Sequence, residues 1–346
     1  MPVSFPRRTT AYRPAFAWFC VFALGWMTLL LFAGGFTTSI QAGMAFLDWP
    51  LSNGSINPEG WLTEADKRAE HSHRLLAASL GLLTIGLALW HAAYEERRWL
   101  RRLAFLLALA VPVQGVLGGL RVLLDALNTG ASHNLVATSF AVAHGVVAQL
   151  ILCALVSVAL AHSRPWIERM GGLQRAPAPA LATFGWIACA TVVVQLCLGA
   201  VMRHNQAGLA IHTFPFTPDG GLIPSAWNFH IGIHFAHRAW ALVATAGLLA
   251  FAVRLWRTRH LGRVLGAGAL VLVGLLGIQV WLGALVVWTG RNAHAATMHM
   301  LTGAFLLATC WGLTFLAHRF RFADAAARTE ATPATSTARD TAPARA

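Results

Sequence analysis

The chain has 346 residues, 57% of them hydrophobic and 11% charged, with a formal net charge of +13 and a mean hydropathy of +0.59. Soluble domains average about 25% charged residues, so the composition excludes a soluble globular protein and points to the membrane. The cationic surplus does not call for nucleic acid, because the basic residues sit in short segments between apolar runs, where membrane topology accounts for them.

Taken in order, apolar runs of about 20 residues, the length that crosses a bilayer, fall near 15–35, 71–92, 103–124, 133–160, 181–203, 232–254, 262–288 and 297–318. The expected fold class is all-α integral membrane, with eight transmembrane helices forming two tandem, parallel-related four-helix bundles. The divisions are a cytoplasmic N-terminus at 1–14, a first four-helix unit at 15–165 and a linker at 166–180. A second unit follows at 181–320, and then a disordered tail at 321–346, rich in Ala, Thr, Pro and Arg. Arg7, Arg8 and Arg13 precede the first run with no small-residue cleavage site after it, so an uncleaved first helix is expected. Nineteen of the 26 Lys and Arg fall in one alternate set of segments and seven in the other. That bias predicts both termini in the cytoplasm, the two longest loops, Phe36–Ala69 and His204–Ile231, lying outside. Cys20, Cys153, Cys189, Cys197 and Cys310 all lie within apolar runs and read as small core residues.

Motifs recur along the chain. Gln41-Ala42-Gly43 and Pro50 return as Gln206-Ala207-Gly208 and Pro215, 165 positions on. Gln114-x-x-Leu117-Gly118-Gly119 returns as Gln279-x-x-Leu282-Gly283-Ala284 at the same spacing, and Gln195 also precedes a Leu-Gly-Ala step. The pattern predicts one four-span unit used twice. Because four is even, both copies cross in the same sense, with a pseudo-axis along the membrane normal.

Each unit holds two intramembrane histidines, His73 with His144 and His237 with His299, all in the outer half of the bilayer. A lone histidine there is as well explained by a hydrogen bond to a carbonyl. Four at repeat-related positions favour paired ligands, and a six-coordinate haem iron requires one imidazole on each face. Zinc prefers four ligands converging on one point, which suits this distribution less well. Glu70 lies one turn before His73, where the second unit has His234. A carboxylate there can move protons during oxidation of a bound porphyrin, or it can simply favour the start of a helix, worth about 0.3–1 kcal/mol. Arg74 and Arg238 follow the ligand histidines; they suit haem propionates or anchoring at the interface, and His234 suits a supporting position. The glycines of the Leu-Gly steps read as close helix packing.

These residues resemble the haem A synthase family over the eight spans, about residues 15–318. The likeness rests on Gly34-Gly35, Gln41-Ala42-Gly43, Trp49-Pro50, Glu70-x-x-His73-Arg74, Gln114-x-x-Leu117-Gly118-Gly119-Leu120-Arg121, His144, His237-Arg238 and His299. The resemblance implies oxidation of a ring methyl of haem O to formyl through a hydroxylated intermediate, for cytochrome oxidase cofactor supply. It implies His73 and His144 about the substrate haem, Glu70 in a catalytic role, and His237 and His299 as axial ligands of a haem b. Some members carry a cysteine pair in the first outer loop, which Phe36–Ala69 lacks. Other implied partners are the bilayer, an electron acceptor, the membrane enzyme that makes haem O, and a second copy of the chain. The expected location is the bacterial cytoplasmic membrane. The competing reading is a two-haem b electron-transfer protein that transforms nothing; the Glu70/His234 asymmetry counts against it. A transporter would place polar residues at the midplane, whereas the ionisable groups here gather towards one face.

Overall fold

The computed structural model describes residues 9–126, 134–169 and 179–331. Among the described residues there are eight long helices: α1 (Pro14–Ser39), α2 (Ala65–Tyr94), α3 (Arg98–Ala126), α4 (Leu135–Ala161), α5 (Pro179–His204), α6 (Phe229–Arg257), α7 (Arg263–Trp288) and α8 (Ala293–Ala331). All eight are long and apolar enough to cross a membrane, and the described residues contain no β-sheet, only two isolated bridges.

Local chemistry sets several of the ends. Pro14 opens α1, where a missing N–H costs nothing. Asn134 caps α4 by accepting the N–H groups of Val136 and Ala137, and Asn228 caps α6 by accepting that of Ile231. At α2 the helix begins at Ala65, ahead of the apolar run, because Ala65-Asp66-Lys67-Arg68-Ala69 is helix-forming with an acidic first turn. Glu70 and His73 are therefore inside the helix, not at its mouth. The expected tail is corrected in its first part: α8 continues from Phe320 to Ala331. The Ala, Arg and Glu content of 321–331 favours helix, which outweighs the lack of apolar periodicity. Residues 332–346, the rest of that expected tail, lie outside the described residues, as do 1–8 and most of the linker, 170–178.

Helices adjacent in sequence pack against one another within α1–α4 and within α5–α8, and α1, α4, α5 and α8 meet across the middle. One core joins Phe16, Met27, Leu80, Leu107 and Leu152 with Leu301, Ala304 and Leu316 of α8. The other joins Leu181, Val192, Phe251, Leu265 and Leu272, and takes in Cys153 of α4. Large apolar side chains such as Trp18, Leu82, Leu109, Leu242 and Leu270 face outward, as expected where the surrounding medium is hydrocarbon.

The ends of α2 and α4 away from the long loops are tied by a buried polar clasp. His91 Nδ1 lies 2.8 Å from the Leu87 carbonyl, so it carries the proton and leaves Nε2 as an acceptor. His162 Nε2, 3.1 Å away, donates to it. Arg97 then bonds both oxygens of Glu95, at 2.7 and 2.9 Å, and the Ala161 carbonyl at 2.8 Å. Phe16 packs against both imidazoles. Both imidazoles are buried.

Candidate functional site

The rings of His73 (α2) and His144 (α4) face each other with centroids 6.3 Å apart, and those of His237 (α6) and His299 (α8) with centroids 6.4 Å apart. Two metal–nitrogen bonds of about 2 Å each, plus the distance from each nitrogen to its ring centre, place two imidazoles on one metal at about this centroid separation. Each pair thus has the spacing of axial ligands sharing one iron.

Every one of these rings lies against a glycine of the preceding helix. A Cβ on Gly34 of α1 would stand 2.6 Å from His73 Cε1, and one on Gly118 of α3 would stand 2.9 Å from that of His144. The corresponding separations are 3.0 Å for Gly199 of α5 against His237 and 3.0 Å for Gly283 of α7 against His299. Gly34 and Gly199 are 165 residues apart, as are Gly118 and Gly283. Gly118, Gly199 and Gly283, which from sequence suggested helix packing, and Gly34 with them make room for the imidazoles, and their spacing is the signal that could have identified them.

Glutamines hold the rings and their helices. His144 Nδ1 is 3.0 Å from the Gln114 carbonyl and His299 Nδ1 is 3.1 Å from the Gln279 carbonyl. A carbonyl only accepts, so Nδ1 bears the proton in both and Nε2 is left with its lone pair for a metal. Gln114 Nε2 donates to the His144 carbonyl at 2.5 Å, and Gln195 Nε2 donates to that of His237 at 3.1 Å. Gln195 Nε2 also lies within 3.3 Å of both His237 ring nitrogens, and Gln279 Nε2 lies 3.4 Å from His299 Nε2.

Glu70 and His234 occupy matching places. Glu70 Oε2 accepts the N–H of Phe46 at 3.1 Å and Oε1 accepts from Arg74 at 2.5 Å. His234 Nδ1 lies 3.2 Å from the Ile211 nitrogen and its Nε2 lies 3.1 Å from Arg238 Nε; a neutral imidazole has a single lone pair, so it accepts from one of these two donors at a time. Arg74 further donates to the carbonyls of Phe46, Asp48 and Leu51, and Arg238 to those of Ile211 and Thr213. Both arginines therefore hold the two long loops down onto their helices. Asp48 stiffens the first loop by accepting the N–H groups of Asn53 and Gly54, each at 2.8 Å. Burial alone would raise its carboxyl; those two N–H groups outweigh it and keep the pKa below the usual range. His71 is buried beneath the same loop, where its Nδ1 meets Ser52 Oγ at 3.0 Å and its Nε2 the Ile56 carbonyl at 3.2 Å.

The chain matches a family model, COX15-CtaA, described as cytochrome oxidase assembly protein, over residues 17–311. It is similar to a protein named Heme A synthase from Novosphingobium aromaticivorans, 27% identical with 86% of this chain and 94% of the relative covered. A Heme A synthase from Halalkalibacterium halodurans is 29% identical over 82% of this chain and 90% of its own length. One from Listeria monocytogenes is 26% identical over 85% and 92%.

Proposed function

The chain belongs to the COX15-CtaA family of cytochrome oxidase assembly proteins, and from that premise we propose that it is a haem A synthase. In this reading it is an integral-membrane oxidoreductase that converts a ring methyl of haem O to a formyl group through a hydroxylated intermediate. The observation that carries the reading is the pair of facing histidine sets, His73/His144 and His237/His299, each with iron-sharing spacing and each set into glycine-lined gaps.

In the α1–α4 unit, His73 and His144 hold the substrate haem, and in the α5–α8 unit His237 and His299 hold a haem b. Bound there, haem b supplies one-electron transfer between the substrate site and an external acceptor. The chain's own part is to fix the macrocycle between two helices, to keep water out with an apolar bundle, and to accept protons as the methyl group is oxidised. Glu70, one turn before His73, is the carboxylate placed for that last role. Arg74 holds it in place. With both termini in the cytoplasm, as the Lys and Arg distribution favours, the haem sites lie towards the outer face of the membrane.

Pigment extraction after co-expression with a haem O source tests the function: haem A is expected, and haem b alone would favour the electron-relay reading. Glu70→His tests the catalytic residue. His234 shows that an imidazole fits at that position between the loop backbone and the arginine, and the arginine's own bonds to loop carbonyls remain, so the variant should keep the loop anchored. The expected result is a normal low-spin haem spectrum with no conversion of haem O. Unimpaired production of haem A by Glu70→His would remove Glu70 from the chemistry.

A further inference from the structure

Arg121 stands on α3 three residues beyond Gly118, on the face that meets the His144 ring. At the spacing of 165 that relates Gln114 to Gln279 and Gly118 to Gly283, its counterpart in the second unit is Val286. Its guanidinium is half-buried, and its one hydrogen bond among the described residues is to the Gly43 carbonyl at 3.2 Å. Gly43 makes room for it, since a Cβ there would run into the guanidinium. Asp125 and Glu70 act on Arg121 only as charges at a distance, and Arg121 acts likewise on His144. Glu70 is already paired with Arg74. Other cations by the histidine pairs are engaged: Arg74 with three loop carbonyls, Arg238 with His234 and two loop carbonyls, and Arg203 with Gly35 and Ser39 of α1. Arg121 keeps most of its N–H groups unspent, within the membrane-spanning part of α3. A cation there is costly unless an anion completes it.

We infer that Arg121 binds a propionate of the substrate haem and so sets which edge of the macrocycle Glu70 serves. The inference rests on the haem assignment above. Two axial nitrogens fix a haem along one line but leave the ring free to turn about it. A relay haem works at any angle of that turn, whereas oxidation of one particular methyl needs a third fixed point. A guanidinium supplies it, because its planar fork holds a carboxylate through two parallel hydrogen bonds. Each propionate-bearing pyrrole also carries a methyl, so a carboxylate held by Arg121 keeps a methyl on the side of the ring nearest Glu70, which lies within electrostatic reach of Arg121. Two polar departures between the units, Glu70 against His234 and Arg121 against Val286, then have one cause: both serve the unit that transforms its haem.

The test titrates full-length protein, purified from cells without a haem O source, with haem O and with its dimethyl ester, in which both carboxylates are blocked. The rise in low-spin absorbance reports binding. Wild type should bind the free acid about tenfold more tightly than the ester, the size of effect a charge-assisted hydrogen bond supports. Arg121→Gln retains an N–H for the Gly43 carbonyl, and it should bind both forms equally with the low-spin spectrum kept. Loss of a merely structural tie would weaken both forms together and leave their ratio unchanged. Arg121→Val should also bind both forms equally, and it keeps the question answerable if Arg121→Gln does not fold. A tenfold preference surviving in either variant, or equal affinities in the wild type, would overturn the inference. A wild type that forms no low-spin haem with either ligand would instead overturn the underlying haem assignment, so the two failures are distinguishable.

Discussion

At Gly34 the requirement is for the absence of a side chain. The Cβ of an alanine would have to lie 2.6 Å from a ring atom of His73, and a ring pushed off α1 would lose its 6.3 Å spacing from His144. Gly34→Ala should therefore lose the low-spin haem of the first unit, read from the absorbance spectrum of the purified protein, while leaving the second. Gly283→Ala, with 3.0 Å to give, should perturb the second site less. Gly25→Ala on the same helix as Gly34 meets nothing within 4 Å, so it should be neutral or stabilising by up to about 1 kcal/mol. Equal spectra for Gly34→Ala and Gly25→Ala would mean the cradle is not used. The histidines were legible in the sequence because an ionisable group in hydrocarbon is costly and stands out. The glycines were visible but ambiguous, since a small residue on a membrane helix serves a neighbouring helix or a neighbouring ring equally well. Glu70 was legible as the residue that differs from His234, but not as one that shares its contacts with the loop backbone and an arginine.

Among the elements, the clasp between α2 and α4 is the one with a built-in pH response. His162, just past the end of α4, has its pKa lowered from 6.5 to about 3, first by burial and then by His91 and Arg97, which outweigh Glu95. The folded state thus keeps this imidazole neutral where the unfolded chain would protonate it. Its contribution is fully present above pH 6.5 and is lost as pH falls from there towards 3, by about 1.4 kcal/mol per unit. Glu95 acts in the same sense lower down. Burial would raise its carboxyl, but the hydrogen bonds from Arg97 outweigh that and hold it below the usual 4.5, so its share is present above 4.5 and disappears under more acid conditions. Thermal unfolding in detergent should therefore show a midpoint that declines between pH 6.5 and 4, and His162→Asn should flatten that decline whatever it does to the midpoint at neutral pH. An unchanged slope in the variant would place the pH response elsewhere. The helices themselves were readable, all eight of them, because each must bury a run of apolar side chains in lipid. Their polar extensions were not: α2 reaches back to Ala65 and α8 onward to Ala331 through residues chosen by helix propensity and charge, which carry no hydropathy signal.

For the whole molecule, the question is whether the two four-helix units are independent. Their cores say otherwise, since Leu301, Ala304 and Leu316 of α8 complete the core built by α1–α4, and Cys153 of α4 sits in the other. Polar ties reinforce the seam. Arg203 of α5 donates to the Gly35 carbonyl and, at 2.8 Å, to Ser39 Oγ, both in the last turns of α1, where a cation meets the negative end of the helix. Gln41 and Gln206, both in left-handed backbone conformation, join the two loop starts at 3.0 Å, and Trp311 donates to Ser157 at 2.7 Å. The chain cut between Arg169 and Pro179 and expressed as two pieces together should thus reassemble into a complex that survives detergent extraction and gel filtration. The first piece alone should not, because removing α8 uncovers the apolar side chains it packs against, at about 25 cal/mol for each Å². Arg203→Ala in the second piece should weaken the reassembly, since it leaves the half-buried Ser39 hydroxyl and the Gly35 carbonyl without that donor. A first piece that purifies alone with the thermal stability of the intact chain would show that each unit closes its own core, and the seam would then be a contact between finished bundles.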